Sequence, residues 1–406
     1  LKLVHGGVTA PRGFKANGVY AGIKKSKKRD LSLIVSESLC DAAGVFTTNK
    51  VQASCVVVNK EYLRDSKAQA IIANSGNANC LTGKSGFENT RAMAAAVAKM
   101  LKLRSKDVLV ASTGVIGKPL PIKKIMAALP EAVKGLSRKG NEYAAAGILT
   151  TDRMIKQVAV EFRIGRKKVR IGAIAKGAGM IHPQMELAAK HATMLCFVTS
   201  DASIGPAALR EALDRAVQKT FNVISIDGDM STNDMVLILA NGAAQNKRIV
   251  EKTKEFRMFT RALEAACMQL AKLMVNDAEG ATKFVEIAVK NALTREDARK
   301  IARAVATSNL VKCALFGCDP NWGRIAAAVG YSGAHVDPWK LHVYLGKELV
   351  LRAGGRVQKS EAALNRVFSQ KNVRIGVDIG LGKFGASAYT CDLSTSYVRI
   401  NSAYRT

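Results

Sequence analysis

The spacing of apolar residues along the chain predicts a mixture of strands and helices. Val158, Val160, Phe162 and Ile164 alternate with Ala159, Glu161 and Arg163, the two-residue period of a half-buried strand. Arg166 to Lys168 then supply a turn, and Val169 to Ile174 return, so the pair reads as a hairpin. Other stretches carry the helical period. Pro206 suits a first turn ahead of Leu209, Leu213 and Val217. Thr294 with Asp297 resembles a capping box before Ile301 and Val305, and Phe259, Leu263, Leu270 and Met274 form a further stripe. These stripes read as core faces. No internal repeat, heptad run or low-complexity linker interrupts them. The expected fold class is α/β (mixed α+β), without the regular strand–helix rhythm of a doubly wound sheet.

Length and composition narrow the class. With 406 residues and 48% apolar content, the chain can bury a large core and is expected to form two or three domains. Intrinsic disorder is excluded by that apolar content. The most apolar stretches, such as Met235 to Ala240, are strand-sized and far below the ~18 residues of a membrane span. No charged-then-apolar leader opens the chain, and its first residue is Leu1, so a start or targeting segment is expected to have been removed. The expected location is the cytoplasm, with an organelle matrix left open. The eight cysteines include no C-x-x-C pair and read as small buried hydrophobes of a reducing compartment.

Charge adds one feature. The net charge is +30, and +21 of it falls in residues 1–192. Such a field draws anions. The densest clusters, Lys24-Lys25-Ser26-Lys27-Lys28-Arg29 and Arg166-Lys167-Lys168-Val169-Arg170, sit where turns are expected and read as solvated loops. No aromatics interleave with them, which weakens a nucleic-acid reading.

Candidate chemistry lies in segments rich in Gly, Asn, Ser, Thr and Asp. They are Asn74 to Asn79, Ser112 to Gly117, Thr150-Thr151-Asp152, Lys176 to Met180, Asp227 to Asp234 and Asp319 to Arg324. Lys176-Gly177-Ala178-Gly179 lacks the third glycine of a dinucleotide fingerprint, and no Walker motif exists. Asp227, Asp229 and Asp234 offer oxygen ligands, but not at EF-hand spacing, and no metal is expected. The sharpest logic belongs to Thr193, which follows Ala192 at the head of the apolar run Met194 to Val198. A Thr hydroxyl is a poor nucleophile unless a base takes its proton. An N-terminal Thr carries that base as its own α-amine. Cleavage between Ala192 and Thr193 would create it.

Taken in order, these segments resemble the ornithine acetyltransferases of arginine biosynthesis, the bifunctional glutamate N-acetyltransferase or ArgJ family. The resemblance also includes Gly7 to Phe14, Ala43 to Asn49, Glu279 to Glu286, Asp319 to Ile325, Cys391 to Leu393 and Tyr404 to Thr406. It implies a fold of the DmpA/ArgJ type, with layered sheets and helices. It implies self-cleavage into an α chain of residues 1–192 and a β chain of 193–406, assembled as a heterotetramer. It implies that Thr193 takes the acetyl group of N2-acetylornithine and passes it to glutamate by ping-pong chemistry. Thr113 and Gly114 would form the oxyanion hole, and Thr150, Lys176, Thr193, Glu279, Asn401 and Thr406 would contact substrate. No cofactor is implied, and the use of acetyl-CoA as a co-substrate is left open.

The chain departs from the resemblance at one place. Family members usually read Met-Ala-Thr at the cut, whereas here Glu186-Leu187-Ala188-Ala189-Lys190-His191 separate Met185 from Ala192. The six residues read either as a natural insertion or as an engineered remnant. Two other function classes stay open: a DmpA-type amidase or aminopeptidase using water as acceptor, and a basic nucleic-acid-binding protein.

Overall fold

The computed structural model describes residues 1–186 and 194–403. The first half supplies strands β1 (Lys2–Val4), β2 (Phe14–Val19), β3 (Leu31–Thr47), β4 (Lys67–Asn77), β5 (Val108–Val115), β6 (Lys156–Ile164), β7 (Lys167–Lys176) and β8 (Met185–Glu186). Its helices are α1 (Ser54–Tyr62), α2 (Gly83–Leu101), α3 (Ile122–Lys134) and α4 (Asn141–Gly147). The second half adds β9 (Leu195–Ser200), α5 (Pro206–Lys219), β10 (Met235–Ala240) and α6 (Lys254–Asn276). It continues with β11 (Phe284–Ala292), α7 (Arg295–Thr307), α8 (Asn309–Phe316), α9 (Trp322–Gly330), β12 (His342–Leu345), β13 (Glu348–Arg352) and β14 (Gly355–Arg356). Last come α10 (Glu361–Phe368), β15 (Asn372–Asp378), β16 (Phe384–Cys391) and α11 (Thr395–Ala403).

The larger sheet runs β1-β6-β7-β9-β10-β3-β4-β5, with β2 and β8 also on β3. The expected hairpin is β6–β7, in register from Lys156↔Ala175 to Ile164↔Lys167. β9 and β10 are buried throughout because both faces are covered. Leu195, Phe197, Met235 and Leu237 enter one core, while Cys196, Val198, Val236 and Ile238 enter the other. Helices α5 and α6 close the second of these cores. Leu209, Leu213 and Val217, and the α6 stripe Phe259, Leu263, Leu270 and Met274, are all fully buried there.

The sheet folds back on itself. The register between β3 and β4 shifts between Val35 and Cys40, which lets the 17-residue strand β3 bend. β5 lies three places from β10 in hydrogen-bond order, yet Asn233 beside β10 donates to the carbonyl of Ser112 in β5. Residues of β5 and β10 therefore share one core, which α1 to α4 also join. The result is layered: helices, two arms of a sheet, helices. A second sheet, β14-β13-β12-β15-β11-β16, packs on α7 and α9 around its own core. The side chain of Thr294 caps α7 by accepting from Asp297 N, as the capping pattern predicts. The class is mixed α/β with layered sheets.

One expectation needs adjustment. Six of the eight cysteines are buried, but Cys313 is exposed and Cys318 half-exposed. The Lys24–Arg29 segment is a loop with residues 25–29 exposed, as expected, and it also borders a large cleft. Among the described residues, no helix is long and apolar enough to cross a membrane.

The halves of the chain interlock. β9 and β10, both from the second half, pair with each other in parallel and are flanked by β7 and β3 of the first. Removing them would open two central strand edges and two cores at once. If the backbone is opened anywhere between residues 186 and 194, the two pieces are expected to stay together through gel filtration. They should unfold in a single urea transition monitored by circular dichroism. Separation without denaturant, or two independent transitions, would contradict the interlocked sheet.

Candidate active site

Where the two arms of the large sheet meet, the ends of β5 and β7 come together beside the head of β10. They enclose a pocket of about 130 Å³. Thr113, Gly114, Thr150, Lys176, Glu279 and Asn401 all line it. Six residues scattered over nearly 290 positions of sequence are thus one site. Ala192, Thr193 and Thr406 lie outside the described residues. Met194, the first described residue after the gap, is fully buried, and its carbonyl accepts from Met235 N.

Thr113 and Gly114 end β5 beside Ser75 and Gly76 of β4. Gly114 has φ +131°, and a Cβ there would collide with the Gly76 and Asn77 backbone. Asparagine amides hold this junction. Asn74 Oδ1 accepts from the Ser112 hydroxyl (2.7 Å), and Asn74 Nδ2 donates to Asn77 O (2.8 Å). Asn233 Nδ2 donates to both Ala78 O (2.7 Å) and Ser112 O (2.8 Å). The Asn-Ser-Gly-Asn-Ala-Asn segment is therefore the scaffold of the site, not an independent turn.

Lys176, the last residue of β7, is almost wholly buried and donates to Thr113 Oγ1 (3.2 Å). The Thr113 oxygen is an acceptor in that bond, so its own proton is free to point elsewhere. Burial lowers the Lys176 pKa, while Asp152, Asp234 and Glu279 pull it back and Lys156 lowers it further. Asp234 is completely buried, and its Oδ1 finds no hydrogen-bond partner among the described residues. Burial pushes its pKa well up, against the pull of the charge on Lys176.

The opposite wall comes from the second half of the chain. Glu279 is buried, and its Oε2 accepts from Asn401 Nδ2 of α11 (2.8 Å). Asp227 accepts from the N–H groups of Met180 (2.6 Å) and Ile181 (2.9 Å) and from the Tyr397 hydroxyl (3.1 Å). It thereby ties α11 to the loop that follows Lys176. Among the described residues, no three His, Cys, Asp or Glu side chains converge as metal ligands.

Beneath the pocket lies a buried charge cluster that sequence reasoning missed. Lys156 Nζ donates to Asp152 Oδ1 (2.7 Å) and to Asp277 Oδ2 (2.6 Å), with all three side chains at most 2% exposed. Asp152 also accepts from the N–H groups of Thr150 (3.1 Å) and Gly177 (2.7 Å). Asp277 stands two residues before Glu279 and accepts from the Arg153 N–H (3.1 Å). One signal could have found it. Lys156 shares strand parity with Val158, Val160 and Phe162, which all face the core, so its amine must meet buried acid.

These features define a protein of layered α/β build whose pocket sets polarised donors against buried carboxyl groups and one amine. Comparisons with known proteins carry the classification further. The ArgJ family profile matches residues 15–406. The arginine biosynthesis bifunctional protein ArgJ of Caldanaerobacter subterraneus is 48% identical over all of both chains. The glutamate N-acetyltransferase of Methanocaldococcus jannaschii is 46% identical, again over the whole of both. A crystal structure of the arginine biosynthesis bifunctional protein ArgJ from Bacillus halodurans is 38% identical. It covers 51% of this chain and 97% of that one, with a TM-score of 0.49. The chain belongs to the ArgJ family, and with it to the acyltransferases of arginine biosynthesis.

Two outcomes test this geometry. Gly114→Ala should lower kcat by about 10²-fold, because its Cβ would run into the Gly76 and Asn77 backbone and shift the pocket wall; steady-state kinetics with an unchanged kcat would refute that placement. Asp152→Asn leaves Lys156 one counter-ion short and should destabilise the protein by about 3–5 kcal/mol at neutral pH. Burial alone would raise the Asp152 pKa, but Lys156 and Lys176 outweigh it and hold the carboxyl at about 2, against 3.8 unfolded. The carboxylate's contribution is therefore complete above pH 4 and lost as pH falls through 2. Urea titrations of both proteins should show the gap closing over that interval, whereas a constant gap would contradict the assignment.

Proposed function

We propose that the chain transfers the acetyl group of N2-acetyl-L-ornithine to L-glutamate through an acetyl ester on Thr193. Family membership and the convergence of Thr113, Gly114, Thr150, Lys176, Glu279 and Asn401 on one pocket support this reading. That convergence is the observation that carries it. Cleavage before Thr193 frees the α-amine, which takes the hydroxyl proton as oxygen adds to the acetyl carbonyl. The oxyanion that forms is met by the Thr113 hydroxyl and the Gly114 N–H. Lys176 bonds the far side of Thr113 Oγ1 and so directs its proton toward the pocket. The amine returns its proton to the departing ornithine nitrogen, the C–N bond breaks, and acetyl-Thr193 remains. Glutamate's amine then repeats the addition and carries the acetyl group away.

Substrate placement follows the charges. Lys176 suits a carboxylate and Glu279 an ammonium, and Asn401 holds Glu279 in place. Thr406 is proposed as a further contact. The α chain (1–192) and β chain (193–406) are proposed to stay joined and to pair as a heterotetramer. Acetyl-CoA is proposed as a second acetyl donor to the same threonine, with no resident cofactor required.

Incubation with N2-acetylornithine and labelled glutamate should yield labelled N-acetylglutamate and free ornithine. Intact mass spectrometry should show +42 Da on the piece that begins at Thr193. Thr193→Ala is expected to abolish both chain cleavage and transfer. Acetate release without acetylglutamate would replace transfer by hydrolysis, and an active Thr193→Ala protein would reject the nucleophile.

A further inference from the structure

A second concavity, about 1160 Å³ in volume, lies against the acyl pocket and shares Thr150 with it as a common wall. Its rim carries Lys24, Lys25, Lys27, Lys28, Arg29 and Lys118. We propose that this cleft is a binding site for a small polyphosphorylated molecule, seated on the 24–29 loop and reaching to the wall formed by Thr150.

The loop is built, not trailing. Asp30 is fully buried, and its carboxylate accepts from the N–H groups of Ala21 (2.6 Å), Ile23 (2.7 Å) and Lys24 (2.9 Å). Arg29 Nε donates to Gly18 O (2.7 Å), and its guanidinium lies 4.4 Å from the centre of the Tyr143 ring. Lys27 takes a left-handed φ of 56° within the turn. The loop is thus held so that its amines crowd one rim.

That crowding is uncompensated. Lys25, Lys27, Lys28 and Lys118 have no ion-pair partner among the described residues. The acids facing the cleft are Asp152, committed to Lys156 and Gly177, and Glu131. Four unpaired ammonium groups within nucleotide-sized space call for a ligand of several negative charges. Lysine, a point charge with rotatable donors, suits phosphate oxygens. Tyr20 is the aromatic side chain lining the cleft, whereas a nucleic-acid strand would need a series of stacking rings.

The cleft also communicates with the pocket. Lys24 Nζ donates to Leu149 O (3.0 Å), one residue before Thr150. Burial lowers the Lys24 pKa to about 8. Asp30 and Lys28 of its own loop and Asp152 and Lys176 from the pocket side also bear on it, the acids raising it and the lysines lowering it. A bound polyanion restores the charged amine, so binding near pH 8 takes up protons.

The test uses the whole chain and does not depend on acetyl transfer. Isothermal titration with tripolyphosphate in low salt should show one saturable site per chain, with buffer-dependent heats at pH 8 that report proton uptake. Lys27→Glu/Lys28→Glu should weaken binding at least tenfold. Arg166→Glu/Lys167→Glu, which makes the same change of charge on the β6–β7 turn, should leave it unchanged. ATP binding tighter than tripolyphosphate assigns the site to nucleotides, and equal affinity assigns it to phosphate alone; both support the proposal. Absence of saturable binding, equal loss in the two double variants, or tighter binding of a DNA duplex would overturn it.

Discussion

One buried amine organises the site. Lys156 Nζ sits between Asp152 and Asp277, out of contact with water. Each acid is joined to a different wall: Asp152 to the N–H groups of Thr150 and Gly177, Asp277 to the turn that presents Glu279. A buried charge trio of this kind gives little net stability, because desolvation offsets most of the attraction. Its effect is geometric. Removing Lys156 leaves two buried carboxylates without their shared cation, and removing either acid breaks one tie, so the walls are held together through this trio.

The same economy explains why the pocket needs both halves of the chain. Lys156 and Asp152 come from the first half, Asp277 from the second, and Asn233 of the second half clamps Ser112 of the first. Because β9 and β10 fill the middle of the sheet, an opened backbone near residue 190 would leave pairing, cores and site intact. The fold thus tolerates a new chain terminus at the head of β9, next to the pocket, where a free amine would be of chemical use.

Much of the framework was legible in the sequence because it rests on periodicity. The β6–β7 hairpin, α5, α6 and the Thr294 cap follow from local spacing and turn residues. The folding of the sheet at β3 was not, since one strand's bend has no periodic signature and depends on long-range cores. In the site, the resemblance reached Thr113, Gly114, Lys176 and Glu279. Lys156 and Asp277 went unnoticed because ion clusters are assembled in space. Asp234 was read as an oxygen ligand of low promise, whereas it is a buried acid beside Lys176 whose pKa burial pushes well up.

Electrostatics then separates the roles of neighbouring groups that look alike in sequence. Asp152 and Asp234 are both wholly buried and both near Lys176, yet they titrate in opposite directions. Asp152 has Lys156 in direct contact and two N–H donors, so its charge is met on every side. Asp234 Oδ1 has no donor among the described residues, and only the nearby charge on Lys176 favours its ionised form. The first acid is tied to the walls by its donors, whereas burial disfavours the charge of the second. Lys176 lies between them, its charge stabilised by Asp152 and its far side bonded to Thr113. The contrast comes from the donors each carboxyl meets, not from its burial, and it leaves the Lys176 amine directed at Thr113 on the pocket wall.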